Sequence, residues 1–209
     1  MPDSTPPLSV AVFVSGRGSN LKALLDAHAA GRLPRVRFVA VFSDVADPPA
    51  FQHAAARGAP TFHRSPSAHP NKRIYEADVL RDLRSVGADF IVLAGYMRIV
   101  GPTLLDAFPG RIVNVHPSLL PAFPGLDAQK QAIECGAKVS GCTVHFVDAG
   151  VDTGPIIVQR ALEVEVGETA DSLAARILAL EHEALPEALR LISEGRVEVE
   201  GRRVRIREK

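Results

Sequence analysis

Residues 10–21, VAVFVSGRGSNL, run from five consecutive apolar residues through a glycine-bearing turn into the first residue of a helical pattern. The apolar run has the length and β-branched content of a buried strand. Leu21, Leu24, Leu25 and His28 recur at helical spacing, and Gly31 is placed to end that helix. Strand, tight turn and helix make the first half of a βαβ unit, and the pattern repeats downstream. A second strand is expected at 38–42, a short helix at 48–58 and a third clear strand at 90–94. Between them lies a longer helix at 71–86, with Tyr75, Val79, Leu83 and Val86 on one face, preceded by a surface loop, HRSPSAHPNK. This alternation predicts an α/β fold, a single Rossmann-like domain with a mostly parallel sheet flanked by helices.

The C-terminal half departs from the parallel pattern. A short helix at 103–108 and a strand at 111–116 lead into HPSLLPAFPG, whose prolines at 117, 121 and 124 bar it from a helix interior or a central strand. After a helix at 126–135, strands at 141–147 and 156–166 are joined by the tight, polar DAGVDTG loop, which predicts an antiparallel pair. Thr169 is placed to cap a long helix with Leu173, Ile177, Leu180 and Leu189 inward, kinked or restarted at Pro186. The last residues fit a hairpin with Val197 opposite Ile206, Glu198 opposite Arg205 and Val199 opposite Val204. No repeat or linker divides the chain, so a flexible tail at 1–8 and one domain at 9–209 are expected.

Composition narrows the function. The 209 residues are 46% hydrophobic and 23% charged, the balance of an ordinary globular protein. Lys+Arg and Asp+Glu are 24 each, so net charge gives no reason to expect nucleic acid or a membrane as partner. Cys135 and Cys142 cannot form a disulfide framework, there is no basic leader, and no apolar run approaches the ~20 residues that span a bilayer. A cytoplasmic protein is expected. The histidines show no HExxH or related spacing, so no metal is expected, and Ser19 and Ser118 lie in no GxSxG elbow.

Three segments could carry chemistry. Gly18, Ser19 and Asn20 follow the first strand and open the first helix, where backbone N–H groups attract phosphate; Leu21 stands where a dinucleotide fingerprint needs a third glycine, so a single phosphate fits better. The competing reading is a tight turn whose Asn20 only caps the helix. Asn114 and His116, two apart on a strand, share a face, one an amide donor for a developing oxyanion and the other an acid/base group; the alternative is a polar strand end. Asp152, between Gly150 and Gly154, would favour the imidazolium if it lay beside His116, or else belongs to a plain hairpin turn. His145 reads as a supporting or core residue.

SGRGSNL (15–21), AGYMRIV (94–100), IVNVHPSLLPAFPG (112–125) and HFVDAGVDTGPIIVQ (145–159) together resemble the folate-dependent formyltransferases, most closely the glycinamide ribonucleotide formyltransferases of purine synthesis. HPSLLP alone resembles the wider group, which includes deformylases. The resemblance implies that Gly18, Ser19 and Asn20 hold a substrate phosphate, with Glu181 near the ribonucleotide, and that Asn114, His116 and Asp152 are catalytic. It implies a folate site formed by Met97, Arg98, Ile99, Val100, Asn114 and the loop Asp148, Ala149, Gly150, Val151, Asp152, with Lys72, next to Arg73, supplying a basic contact. At Leu178, where some members carry a polar residue facing the ribonucleotide, that side-chain hydrogen bond is missing. The implied activity is formyl transfer from 10-formyltetrahydrofolate to 5-phosphoribosylglycinamide, in a monomer or homodimer that uses small-molecule substrates and no metal. The first half, to about residue 100, would bind phosphate, and the second would bind folate and carry catalysis. Formyl transfer or deformylation with another substrate, and a non-catalytic phosphate-sugar binding module, are the other readings.

Overall fold

A computed structural model of the chain describes residues 6–208. Strands β1 (Leu8–Val14), β2 (Val36–Ser43), β3 (Thr61–His63), β4 (Phe90–Leu93), β5 (Ile112–His116), β6 (Val139–Phe146) and β7 (Ile156–Glu163) form one sheet in the order β3-β2-β1-β4-β5-β6-β7. The pairs from β3 across to β5 are parallel, and β6 and β7 add antiparallel to that edge. Leu8 already pairs with Val36, so the tail is shorter than 1–8, and residues 1–5 of it lie outside the described residues.

Strand β1 explains why its sequence is continuously apolar. Val10, Val12 and Val14 point into one core layer, with Leu21, Leu24 and Leu25 of α1 (Ser19–Ala29) and Leu173, Ile177, Leu185 and Leu189 of α6 (Ala170–Ser193). Ala11 and Phe13 point into the other, with Phe42 and with Tyr75, Val79 and Leu83 of α3 (Lys72–Ser85). A strand buried on both faces has no polar side to alternate with. The shorter helices α2 (Ala50–Ala55), α4 (Pro102–Ala107) and α5 (Ala128–Glu134) complete the two layers.

Three local expectations change. The edge strand β3 is only TFH, too short to show a period, and a 3-10 turn at Pro66–Ala68 interrupts the expected loop. Helix α6 does not restart at Pro186: it runs from its Thr169 cap, whose side chain accepts the Ser172 N–H, to Ser193. The proline ring removes one backbone bond, but Ala184, Leu185, Ala188 and Leu189 around it are fully buried, and their packing outweighs that cost of about 3 kcal/mol. The hairpin of β8 (Val197–Glu200) and β9 (Arg203–Ile206) has the expected register, yet its ion pairs run diagonally, Arg205 to Glu200 at 3.2 Å and Arg207 to Glu198.

Strand order reverses between β1 and β4, because the chain builds β2 and β3 outward on one side before returning to β4 on the other. Loops leaving the carboxyl ends of such strands diverge and leave a crevice. The segments 15–18 and 94–101 are those loops.

Candidate active site

Gly18 is the N-cap residue of α1 with φ +74°, and a Cβ there would lie 2.5 Å from the Cβ of Ala50. The turn is therefore pressed onto α2, which leaves the first N–H groups of α1 without intrahelical partners at the crevice. Asn20 does not cap the helix. It is buried inside the first turn, and its Nδ2 donates to Oε2 of Glu181 on α6 at 2.7 Å. Its Oδ1 is buried with no hydrogen-bond partner. That orphan atom accepts only, so it suits a hydroxyl or amine donor on a ligand and not a phosphate oxygen. Leu178, half-buried on the same helix, adds no polar group.

Burial pushes the Glu181 carboxyl up to about 7, against the opposing hydrogen bond from Asn20. The folded chain thus holds this proton more tightly than the unfolded chain, whose value is the ordinary 4.5. Stability from this group is full below that ordinary value and is lost as pH rises toward 7, roughly 3 kcal/mol in all. Glu181→Gln is expected to remove that slope. Denaturant melts at pH 5 and pH 8 should show the variant gaining on the parent chain by 2–3 kcal/mol, on the order of the same shift.

The segment after β4 exposes Met97 and Ile99, at 70% and 66%, and buries Val100. A cavity of about 470 Å³ is lined by this segment together with Lys72, Tyr75, Tyr96 and Leu104. Lys72 faces it and Arg73 is not in its lining. Behind Lys72, the buried Glu76 carboxylate accepts the Gly101 N–H at 2.6 Å and fixes the start of α4. A Cβ on Gly101 would meet both Glu76 oxygens at 2.7 Å and the Lys72 Cε at 2.8 Å, so a larger residue there would push the ends of those two side chains aside. Burial pushes Glu76 up from the ordinary carboxylate value, opposed by the Gly101 N–H and by Lys72. None of Asn114, His116 and Asp152 lines this cavity.

Those three side chains meet at β5. The register of β5 with β6 sets Asn114 opposite His145 and His116 opposite Thr143. Oδ2 of Asp152 lies 3.3 Å from Nδ1 of the buried His116, and Nε2 of His116 is 2.8 Å from the Phe123 carbonyl. Both ring nitrogens therefore face oxygen atoms that only accept. The two acceptors are held on left-handed backbone, with φ +53° at both Asp152 and Phe123, a conformation that costs a non-glycine residue about 1–2 kcal/mol. The loop after His116 is tied down by the Thr143 hydroxyl, which donates to the Ser118 carbonyl at 2.7 Å and accepts the Leu120 N–H at 3.0 Å. Ser118 donates to the Ala122 carbonyl, a structural use of its hydroxyl.

His145 has a larger part than the sequence reading gave it. Its Nε2 is 3.4 Å from Nδ2 of Asn114 and 3.6 Å from Oδ1 of Asp152, so it stands between the amide and the carboxylate. The available signal was a polar residue two positions from Thr143 in an otherwise apolar strand. Burial raises the Asp152 carboxyl, but the His145 ring close beside it, the hydrogen bond from the Gly125 N–H and the positive field of His116 outweigh it and hold the group below the ordinary carboxylate value. Asp148 is engaged within its own loop, accepting from the Gly150 N–H at 3.0 Å and the Thr153 hydroxyl at 2.6 Å, and Ala149, Gly150 and Val151 form an exposed rim. The proposed halves are not segregated in space: Asn20 reaches Glu181, and the 97–100 segment belongs to the first half. Among the described residues no group of three or more His, Cys, Asp or Glu side chains could hold a metal ion.

The chain is similar to known proteins. The formyl transferase family matches residues 8–189, and the chain belongs to that family. Within it, the chain groups with the phosphoribosylglycinamide formyltransferases. It is 42% identical to the phosphoribosylglycinamide formyltransferase of Bacillus subtilis over 184 residues, 86% of this chain and 92% of the relative. The crystal structure of glycinamide ribonucleotide transformylase 1 from Symbiobacterium toebii superposes with a TM-score of 0.94 at 50% identity, covering 97% of this chain and 95% of that one. The trifunctional purine biosynthetic protein adenosine-3 of Drosophila pseudoobscura is 44% identical over 193 residues, and the match spans 92% of this chain and 14% of that relative's length.

Proposed function

We propose that this chain transfers the formyl group of 10-formyltetrahydrofolate to the amine of 5-phosphoribosylglycinamide, a step of purine biosynthesis. The observation that carries the reading is the gathering of Asn114, His116 and Asp152 around the carboxyl end of β5, on the same edge of the sheet as a helix N-terminus suited to one phosphate. The ribonucleotide's phosphate would sit on the N–H groups at Gly18, Ser19 and Asn20, and its hydroxyls would donate to the orphan Oδ1 of Asn20 and to Glu181. Lys72, Met97, Arg98, Ile99, Val100 and the 148–152 loop would hold the folate. No helix among the described residues is long and apolar enough to cross a membrane. The reading is of a cytoplasmic enzyme, monomeric or homodimeric, acting on small molecules.

In the reaction the amine nitrogen attacks the formyl carbon and the carbonyl electron pair moves to oxygen. The Asn114 amide and a His116 N–H stabilise that oxyanion. For Nε2 of His116 to serve it, the ring exchanges the Phe123 carbonyl for the substrate oxygen. The oxyanion then re-forms the carbonyl, the bond from carbon to the folate nitrogen breaks, and the proton lost by the attacking amine ends on that nitrogen. A water held by Asp152 can relay it. Electrostatic stabilisation by one such donor is worth ~3–4 kcal/mol of barrier.

The test is to mix protein, 5-phosphoribosylglycinamide and 10-formyltetrahydrofolate, follow the folate absorbance and identify the product. Formylated ribonucleotide is expected. Release of formate without it would replace this reading with deformylation, and no turnover would remove the enzymatic reading. Gly18→Val is expected to raise the ribonucleotide KM by tenfold or more, because the added side chain meets Ala50 and pushes the backbone off the phosphate, while tetrahydrofolate binding changes little. Equal affinity for the substrate and its dephosphorylated form would place the phosphate elsewhere.

A further inference from the structure

Ser15 and Met97 stand on the two loops that leave β1 and β4, either side of the point where strand order reverses. The Ser15 hydroxyl donates to Oδ1 of Asp44 at 2.6 Å and accepts the Met97 N–H at 2.9 Å. The other Asp44 oxygen accepts from Nε of Arg98 at 2.7 Å. The Asp44 side chain is only 6% exposed, so its charge is shielded from water and screened less than a surface carboxylate would be. One carboxylate from the end of β2 thus ties the root of the phosphate turn to the first two residues of the segment assigned to folate.

We propose that Asp44 and Ser15 are positioning residues that set the 97–100 segment against the phosphate turn, so that each substrate tightens the binding of the other. The proposal rests on the functional reading above. Met97 and Ile99 are largely exposed, and beyond two backbone bonds at the root of the loop, from the Ser15 N–H to the Gly95 carbonyl at 3.1 Å and from the Ala94 N–H to the Phe13 carbonyl at 2.8 Å, this bridge is what ties Met97 and Arg98 to the β1 side. Ribonucleotide held at the helix N-terminus restrains Ser15, and the bridge passes that restraint to Met97 and Arg98. By linkage the effect on affinity is equal in both directions. Neither residue touches the Asn114, His116 and Asp152 group, so the chemical step itself should change little.

The experiment is calorimetry with tetrahydrofolate, which has no formyl group to transfer, with and without saturating 5-phosphoribosylglycinamide, joined to steady-state kinetics. In the parent chain the ribonucleotide should tighten tetrahydrofolate by about fivefold or more. In Asp44→Ala and in Ser15→Ala that ratio should fall to about one, with the folate KM up by about tenfold and kcat within about threefold. Ser15→Thr, which keeps the hydroxyl, should restore the ratio. Asp44→Asn, which keeps the shape, gives the same reading if the alanine variant does not fold. A parent ratio of one, an undiminished ratio in the Asp44 and Ser15→Ala variants, or a fall in kcat at constant folate KM would overturn the bridge. If the parent chain binds both ligands and turns over while the ratio fails, only the bridge is lost. If it binds neither, the functional reading and the bridge fall together.

Discussion

Replacing Asn114 or His116 by alanine is expected to lower kcat by about 100-fold or more while leaving the KM for ribonucleotide within a few-fold. The phosphate and hydroxyl contacts proposed for the ribonucleotide come from α1 and α6, not from β5, so ground-state binding should survive. What is lost is a donor to charge that exists only in the transition state. The two side chains also differ in what their removal does to the fold. His116 is buried, and its loss frees the Phe123 carbonyl and faces Asp152 with a cavity, so His116→Ala should also lower stability by about 2–4 kcal/mol. Asn114 is half-buried and pairs only weakly with His145 at 3.4 Å, so Asn114→Ala should melt close to the parent chain. Single-turnover rates with saturating substrates, beside thermal melts, separate the two effects. Near-parental turnover in both variants would remove them from the chemistry.

Asp152→Asn should lower kcat by about 100-fold as well, for a different reason. Asparagine keeps the size of the side chain and one acceptor oxygen, but it removes the negative charge that faces Nδ1 of His116 and lies near His145. The variant therefore isolates charge from shape. Asp106→Asn, on an exposed face of α4, controls for a general loss of one negative charge and should leave kcat within about twofold. A second readout follows from acid–base linkage. The folded Asp152 carboxyl lies below its ordinary value of 3.8, so its contribution to stability is full above that value and is lost as pH falls through the lower folded one. Urea melts at neutral pH should place Asp152→Asn below the parent, and the gap should close on acidification into that range. A gap that persists in acid would assign the loss to packing.

The fold was legible where physics writes it locally. The doubly buried β1, the Thr169 cap and the register of the last hairpin each follow from side chains within one element. The edge strand β3 was not legible, because three residues cannot show a period and its pairing is supplied by Val41, Phe42 and Ser43 of β2. At Pro186 the sequence left a kink or a restart open, and a long-range term removed the restart: the buried flank of α6 carries the helix through the proline. At the site, residue types were informative and partners were not. Asn114 and His116 could be set on one face from strand geometry alone. That Asp152 meets His116, that His145 stands between the amide and the carboxylate, and that Asn20 points at Glu181 all depend on tertiary contacts. Of that last pair, the sequence offered Asn20 as a phosphate-turn residue or a helix cap, and Glu181 only through resemblance.

The contact between Asn20 and Glu181 spans 161 positions of sequence. A chain made from its N-terminus completes the phosphate turn early, but the amide of Asn20 has no carboxylate to meet until α6 has been made and has docked on α1. The ribonucleotide site proposed above is in this sense one of the last parts of the molecule to exist, and its occupant would clasp α1 to α6. A ligand present at 100 times its Kd adds about 2.7 kcal/mol to the folded state alone. Such a clasp acts on release of α6 from α1 as well as on global unfolding, so bound ribonucleotide should slow amide exchange at both ends of the chain together, although most of the sequence lies between them.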